Sequence, residues 1–308
     1  MDQKIILITG ATTGIGRDTA LHLAKKGHRV IATGRNVKAL ASLKAEAAGT
    51  ELETLRLDVT DAQSIAAAKD AVDQMTSGYG IDVLVNNAGF GSAAPIVESP
   101  DSEVRSQYET NVFGLLAMVR TFVPQMMDRR SGRVVNVSSI GGRITMPLFG
   151  AYNSTKYAVE SLSDAMRYEL APFGVKVSLI EPGPIKTEFS NTSVKGLAQY
   201  QSATSRYAQV FAKADQLKVK ADAMSASPFV VTRAIEKAAT SARPAIRYVM
   251  PFSSAIGVFF GRLMPTVLLD FVFRLATGLT PKMLAGTPAR ASVRPPRLLP
   301  AASIQAQA

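Results

Sequence analysis

Cysteine is absent from the 308 residues, and histidine occurs only twice, as His22 and His28. The first absence excludes a disulfide framework, a thiolate metal site and a cysteine nucleophile. The second leaves almost no material for a His-rich metal centre or a Ser-His-Asp triad, so no metal is expected. Long apolar runs are missing too. The longest charge-free apolar stretch, Tyr248 to Gly261, has 14 residues and contains Pro251, whereas a membrane-crossing helix needs about 20. The start, Met1-Asp2-Gln3-Lys4 before a short apolar run, lacks the apolar core and cleavage site of a signal peptide. A cytoplasmic location is therefore expected.

What is present reads as globular, with 47% hydrophobic and 19% charged residues. The 35 Lys and Arg outnumber the 24 Asp and Glu, for a net charge of +11. This excess is uneven, because from Arg233 to the end ten basic residues meet only Glu236 and Asp270. Neither interleaved aromatics nor a known module accompany it, so no nucleic-acid partner is expected.

Short apolar strands alternate with helical patterns. Strands are predicted at 4–9, 29–33, 53–57, 82–85, 133–137, 175–180 and 246–250. Helices are predicted at 14–26, 36–48, 61–77 (capped by Asp61), 101–129, 150–172 and 229–240. Such alternation predicts an α/β fold, a doubly wound parallel sheet with helices on both faces. Residues 184–227 break the rhythm after a strand's carboxyl end, where open sheets carry ligand-covering loops.

Between the first strand and the first helix lies Thr9-Gly10-Ala11-Thr12-Thr13-Gly14-Ile15-Gly16. Gly10 permits a sharp turn, Gly14 lets the backbone approach a pyrophosphate, and Gly16 lets helix and strand pack closely. Phosphates would sit on the free amides of the helix start. No Gly-Lys-Ser/Thr follows, which excludes a nucleoside-triphosphate loop. The second strand ends in Thr33-Gly34-Arg35-Asn36. NAD binding favours a carboxylate there, whereas an arginine suits the 2′-phosphate of NADP(H). The expected cofactor is NADP(H).

Tyr152 and Lys156 stand four apart on a predicted helix and so share a face. Free tyrosine, with a pKa near 10, is a poor base at neutral pH. A lysine cation about 5 Å away, at an effective dielectric of 20, would favour phenolate by roughly 3 kcal/mol. Ser138-Ser139 closes a strand 13 residues before the tyrosine. Either serine could serve by chemistry alone, and the spacing favours Ser139.

With these motifs the chain resembles the short-chain dehydrogenase/reductase family over about residues 1–250. The resemblance rests on Thr9-Gly10-x-x-x-Gly14-Ile15-Gly16, Asp58-Val59, Asn86-Asn87-Ala88-Gly89, Asn111, Ser139, Tyr152-x-x-x-Lys156 and Pro182-Gly183, in order and spacing. It implies a Rossmann-like sheet of seven strands in the order 3-2-1-4-5-6-7. It also implies a catalytic group of Asn111, Ser139, Tyr152 and Lys156. Tyr152 would be the acid/base, Ser139 would hold the substrate oxygen, Lys156 would hold the nicotinamide ribose, and Asn111 would anchor a water relay. The cofactor would be lined by Gly10, Thr12, Thr13, Gly14, Ile15, Gly16, Arg35, Asp58, Val59, Asn86, Ala88 and Gly89. Tyr152, Lys156, Pro182, Gly183, Ile185 and Thr187 would complete that lining.

The expected activity is hydride transfer between NADP(H) and a ketone, aldehyde or secondary alcohol. The Gly-Arg pair resembles NADP-preferring members, later segments resemble the steroid, retinoid and lipid-active branch, and the Ala, Val, Phe, Leu and Tyr content of 184–227 suggests an apolar substrate. An acyl-carrier-linked or xenobiotic carbonyl reductase is the rival enzyme, and a non-catalytic NADP(H)-sensing protein is the rival of another class. A homodimer or homotetramer is expected. Three segments are anticipated: an oxidoreductase domain at 1–250 with a substrate-covering loop at 184–227, an amphipathic extension at 251–280, and a disordered basic tail at 281–308. Pro265 should kink or split the extension. Its apolar face either lies in a membrane interface or packs on the body or a second subunit.

Overall fold

Runs such as Ile6-Leu7-Ile8 and Val83-Leu84-Val85 are wholly shielded from solvent, as continuous apolar strands must be when helices cover both faces of a sheet. In the computed structural model, which describes residues 2–189, 193, 200, 205–212, 223 and 225–284, these strands lie at the centre of one parallel sheet. The strands are β1 (Ile5–Ile8), β2 (Arg29–Gly34), β3 (Leu52–Arg56), β4 (Val83–Asn86), β5 (Gly132–Val137), β6 (Val175–Pro182) and β7 (Arg247–Met250). Their order is β3-β2-β1-β4-β5-β6-β7. Leu7 pairs with Ile31 on one side and with Leu84 on the other. The chain thus reverses its direction of travel across the sheet between β1 and β4, where open α/β sheets form a ligand crevice.

Alternation along β1 divides the core into two layers. Ile6 and Ile8 join α1 (Gly14–Lys25), α2 (Val37–Glu46) and, through Val231 and Ile235, a later helix at Pro228–Thr240. Leu7 faces α3 (Ala62–Met75) and, through Phe122 and Val159, two more helices. The helix ends follow their sequence signals: Asn36 accepts from the amide of Ala39, Asp61 from that of Gln63, and Ser227 from that of Phe229. Helix α1 stops before Gly27, whose φ of +86° favours glycine.

The helix expected over 101–129 runs without interruption from Asp101 to Asp128 and contains a π-helical turn. Helix α4 spans Asp101–Tyr108, a π-helical stretch Glu109–Gly114, and α5 Leu115–Asp128. A side chain at Gly114 would stand 2.8 Å from Val59 Cγ2, so the wide turn seats this backbone against the end of β3. Helix α6 (Gly150–Leu170) follows, then α7 (Pro228–Thr240). The apolar extension divides at Pro265 into α8 (Phe252–Leu263) and α9 (Thr266–Thr277). Among the described residues no helix is long and apolar enough to cross a membrane. The tail expected to be disordered lies outside the described residues beyond 284, as does much of 184–227.

Candidate active site

The glycine loop is held by side chains from the next strand over. Thr9 Oγ1 accepts from the amides of Asn87 (3.0 Å) and Ala88 (2.9 Å). The Asn87 carboxamide donates to the carbonyls of Thr9 (2.9 Å) and Gly10 (3.1 Å). Gly10 and Gly14 have φ of +66° and +55°, and a Cβ on Gly16 would lie 2.4 Å from Asn87 Nδ2. Asn87 is therefore the residue that fixes the turn, whereas the sequence reading gave a cofactor role to Asn86. The Asn86 amide turns away into the sheet and donates to Asn136 Oδ1 at 2.9 Å.

Above this loop opens a cleft of about 1310 Å³. Gly10, Thr12, Thr13, Gly14 and Ile15 line one end, with Arg35, Asp58 and Val59 beside them. Ala88, Gly89, Ser139, Tyr152 and Lys156 also line it, as do Pro182, Gly183, Ile185 and Thr187, the last in contact range of Gly14. Of the anticipated residues, Gly16, Asn86 and Asn111 do not reach the cleft surface.

The donor set at the first end fits a dinucleotide. Thr13 makes no side-chain cap bond and α1 has no acidic residue in its first turn, so its amides are available to an anion. Gly34, in the place where a carboxylate would read NAD, is pinned by close approach: its Cβ would meet Thr12 Cγ2 at 2.6 Å. Arg35 follows, 73% exposed in its side chain, with Nη1 3.9 Å from Asp58 Oδ2. Burial raises the Asp58 pKa, but hydrogen bonds from Thr60 and the charges of Arg35 and Arg56 outweigh it and hold the carboxyl below its usual value.

At the centre, Tyr152 stands between two rings, Phe149 at 6.5 Å and Phe189 at 5.4 Å between centroids. A Cβ on Gly91 would strike its ring at 2.5 Å, so that glycine makes room for the tyrosine. Ser139 Oγ accepts from the Gly141 amide at 3.0 Å and donates to the Pro182 carbonyl at 3.4 Å. Ser138 is buried next to it and also lines the cleft.

Lys156 Nζ donates to the Val137 carbonyl at 2.9 Å and lies 5.8 Å from the Tyr152 ring centroid. Both groups are enclosed, and desolvation dominates. Burial pushes the Tyr152 hydroxyl up to about 12, against a downward pull from Ser139. Burial brings Lys156 down to about 8, against an upward pull from Glu160. The expectation that Lys156 lowers the tyrosine pKa fails in this protein as it stands. The ammonium is directed to the Val137 carbonyl, over the ring rather than at the hydroxyl, and burial costs phenolate more than it gains.

Asn111 lies in the π-helical stretch. Its Nδ2 donates to the Phe90 carbonyl (2.8 Å) and to Thr155 Oγ1 (3.0 Å), while its Oδ1 accepts from the Phe90 amide (3.0 Å). A Cβ on Gly89 would meet both Asn111 Oδ1, at 3.0 Å, and Lys156 Nζ, at 3.6 Å. Asn111 therefore clamps the β4 loop against α6 directly beside the lysine. π-Helical turns often mark functional sites.

One turn beyond Lys156 a charge network went unread in the sequence. Arg143 Nη1 meets both oxygens of the fully buried Glu181 at 2.8 and 3.1 Å. Arg247 Nε joins Glu181 (3.1 Å) to Glu160 (3.2 Å), and its Nη2 reaches Asp164 at 2.6 Å. Burial and then repulsion by Glu181 raise the Glu160 carboxyl to about 7, opposed by Ser138, Arg247 and Arg143.

A parallel sheet in this order, a glycine turn under a cleft, and a buried Ser-Tyr-Lys group together define a nicotinamide-dependent oxidoreductase. The short-chain dehydrogenase family model matches residues 4–198, and the chain belongs to that family. It is 34% identical over 258 residues to a 3-ketodihydrosphingosine reductase of Bacteroides thetaiotaomicron, covering 83% of this chain and 89% of the relative. It is 32% identical over 275 residues to an NADPH-dependent 3-dehydrocapnine reductase of Ornithobacterium rhinotracheale, covering 88% and 96%. Among solved structures, a short-chain dehydrogenase/reductase of Burkholderia phymatum in complex with NAD superposes with a TM-score of 0.72 at 26% identity, covering 84% of this chain and 92% of that one. The protein is an oxidoreductase that acts on CH–OH groups or the carbonyls they become.

Proposed function

We propose that the protein is an NADP(H)-dependent reductase of a lipid-like ketone or aldehyde. The observation that carries this reading is the make-up of the cleft, whose lining brings together Arg35, the Ser139, Tyr152 and Lys156 group, and an apolar wall. That wall includes Leu148, Phe149, Phe189, Val210 and Phe211, the last three from the described part of the 184–227 segment. Such a wall suits an alkyl chain or fused rings. The relatives named for a sphingoid ketone and for a dehydrocapnine support the same substrate class.

When bound, NADPH supplies the hydride. Ser139 donates a hydrogen bond to the substrate oxygen, and Tyr152 gives that oxygen its proton as the carbonyl carbon is reduced. With its pKa pushed up to about 12, Tyr152 keeps its proton at neutral pH and can act as the acid of the reduction. Lys156, anchored on Val137, sits where it can hold the ribose hydroxyls. The close packing of Gly34 on Thr12, which a side chain at this position would have to displace, supports Arg35 as the reader of a 2′-phosphate.

Titration of each cofactor into the Arg35→Ala variant tests this. Loss of one charged hydrogen bond weakens NADPH by about 1.5–3 kcal/mol and leaves NADH within twofold. Equal losses for both would sink the NADP(H) assignment.

A further inference from the structure

Helices α8 and α9 carry apolar side chains on the outside. Ile256, Phe259 and Leu263 form a stripe along α8 at steps of three and four, and Val267, Phe271 and Leu275 form one along α9. All six are exposed, Val267 at 82% and Phe271 at 63%. Helix α9 has no buried residue, and α8 has only Val258. Two consecutive helices that present an apolar stripe to water, with a Pro-marked break between them, are an interfacial platform.

The inner side of α8 fixes where this platform stands. A Cβ on Gly183, in the wall of the cleft, would strike Ser254 Oγ, and one on Gly261 would strike Ile144 Cδ1 at 2.4 Å. Helix α8 is thus seated on the rim of the cleft, with its stripe facing outward. Charge then selects the occupant. From 251 to 308 the sequence has six basic residues, Arg262, Arg274, Lys282, Arg290, Arg294 and Arg297, against the single acid Asp270. A second copy meeting this face about a two-fold axis would bring two such basic segments together, with one carboxylate from each to offset them. An anionic bilayer surface offers both the apolar depth and the opposite charge.

We propose that α8 and α9 dock the protein on an anionic membrane surface, with the rim of the cleft beside the lipid. The docking stands apart from the substrate reading, and flotation reads it without any turnover. Full-length protein at moderate salt floats with vesicles of phosphatidylcholine and phosphatidylglycerol, and much less with phosphatidylcholine alone. Each basic side chain near an anionic surface strengthens binding about fivefold, so Arg262→Gln with Arg274→Gln weakens flotation at least about tenfold. Phe259→Asp with Phe271→Asp abolishes flotation while thermal melting stays at the wild-type temperature. Wild-type protein that stays below with both vesicle types overturns the proposal, with no variant needed. So does a Phe259→Asp/Phe271→Asp protein that still floats. Sedimentation velocity supplies the remaining outcome: a stable dimer dissolved by the aspartate pair, with no flotation, assigns the face to a second copy and overturns membrane docking.

Discussion

Helix α6 and the pair α8–α9 invert the usual rule of burial in opposite senses. Helix α6 buries ten residues, six of which carry polar atoms: Tyr152, Asn153, Thr155, Lys156, Glu160 and Ser163. Helices α8 and α9 bury one residue between them and leave phenylalanines in water. Each inversion has a cost. Enclosing an acid, a base and an ion network opposes folding unless every group is partnered, and exposing apolar stripes forgoes burial free energy. Neither arrangement is what stability alone would select. Each therefore marks a working surface, one for chemistry inside the cleft and one for contact outside it.

The ionic part of the polar interior of α6 is partnered at long range. Arg247, on β7, bonds Glu160 and Asp164 on α6 and Glu181 on β6. Arg143 closes the network from beyond β5. The sheet edge, rather than the helix, thus holds the catalytic face in register, because the strand order brings β6 and β7 beneath α6.

The largest effect should come from the centre of that face. Tyr152→Phe removes the proton donor but keeps the ring that packs between Phe149 and Phe189. General acid catalysis contributes about 10²–10⁴-fold, so reduction should fall by at least that lower figure while NADPH binding, read by fluorescence titration, stays within a few-fold. A variant with near-wild-type turnover would show that the enclosed tyrosine is structural, and the contrast with α8–α9 would lose its chemical side.

The strands, the glycine turn and the Tyr-Lys pair were legible because each is a local pattern: apolar β-branched runs, glycines at fixed offsets, and two residues one helical turn apart. What escaped depends on partners far along the chain. Asn87 and Asn86 are neighbours of the same type, and only the approach of Thr9 and Gly10 tells which one braces the loop. The π-helical turn within the 101–128 helix accompanies the clamping of Asn111 by Phe90 and Thr155 and the close approach of Val59 to Gly114, none of which shows in helical periodicity. The Tyr152 acidity was misjudged because the spacing gives proximity to Lys156 but not the shared burial. In the extension, the spacing of phenylalanines defined a stripe but could not say whether it faces the body or the solvent.

A pH profile of reduction gives the next effect in size. Below about 8 Lys156 is charged and above it neutral, whereas Tyr152 keeps its proton to about 12. If the ammonium is what holds the cofactor ribose in place, kcat/KM for reduction is level at lower pH and declines as pH rises through about 8, approaching tenfold per unit. The sign follows from the lysine losing charge; a tyrosine-limited reaction would hold its rate until far more alkaline pH. A level profile to pH 10 would mean that Lys156 acts without its charge.

The smallest expected effect is the one that sharpens the comparison most. A phenylalanine enclosed in a core costs about 3–5 kcal/mol to truncate, and Phe122, with no exposed surface on α5, is such a residue. Phe271 has the same side chain but stands 63% exposed on a helix with no buried residue. Phe271→Ser should therefore shift the stability of the lipid-free protein by no more than about 0.5 kcal/mol, the usual range for surface sites. Denaturant midpoints at several protein concentrations measure it, since a self-associated face would make the midpoint depend on concentration. A loss above about 2 kcal/mol would place Phe271 against protein, and the outward stripe would belong to the folded body or its assembly rather than to a membrane.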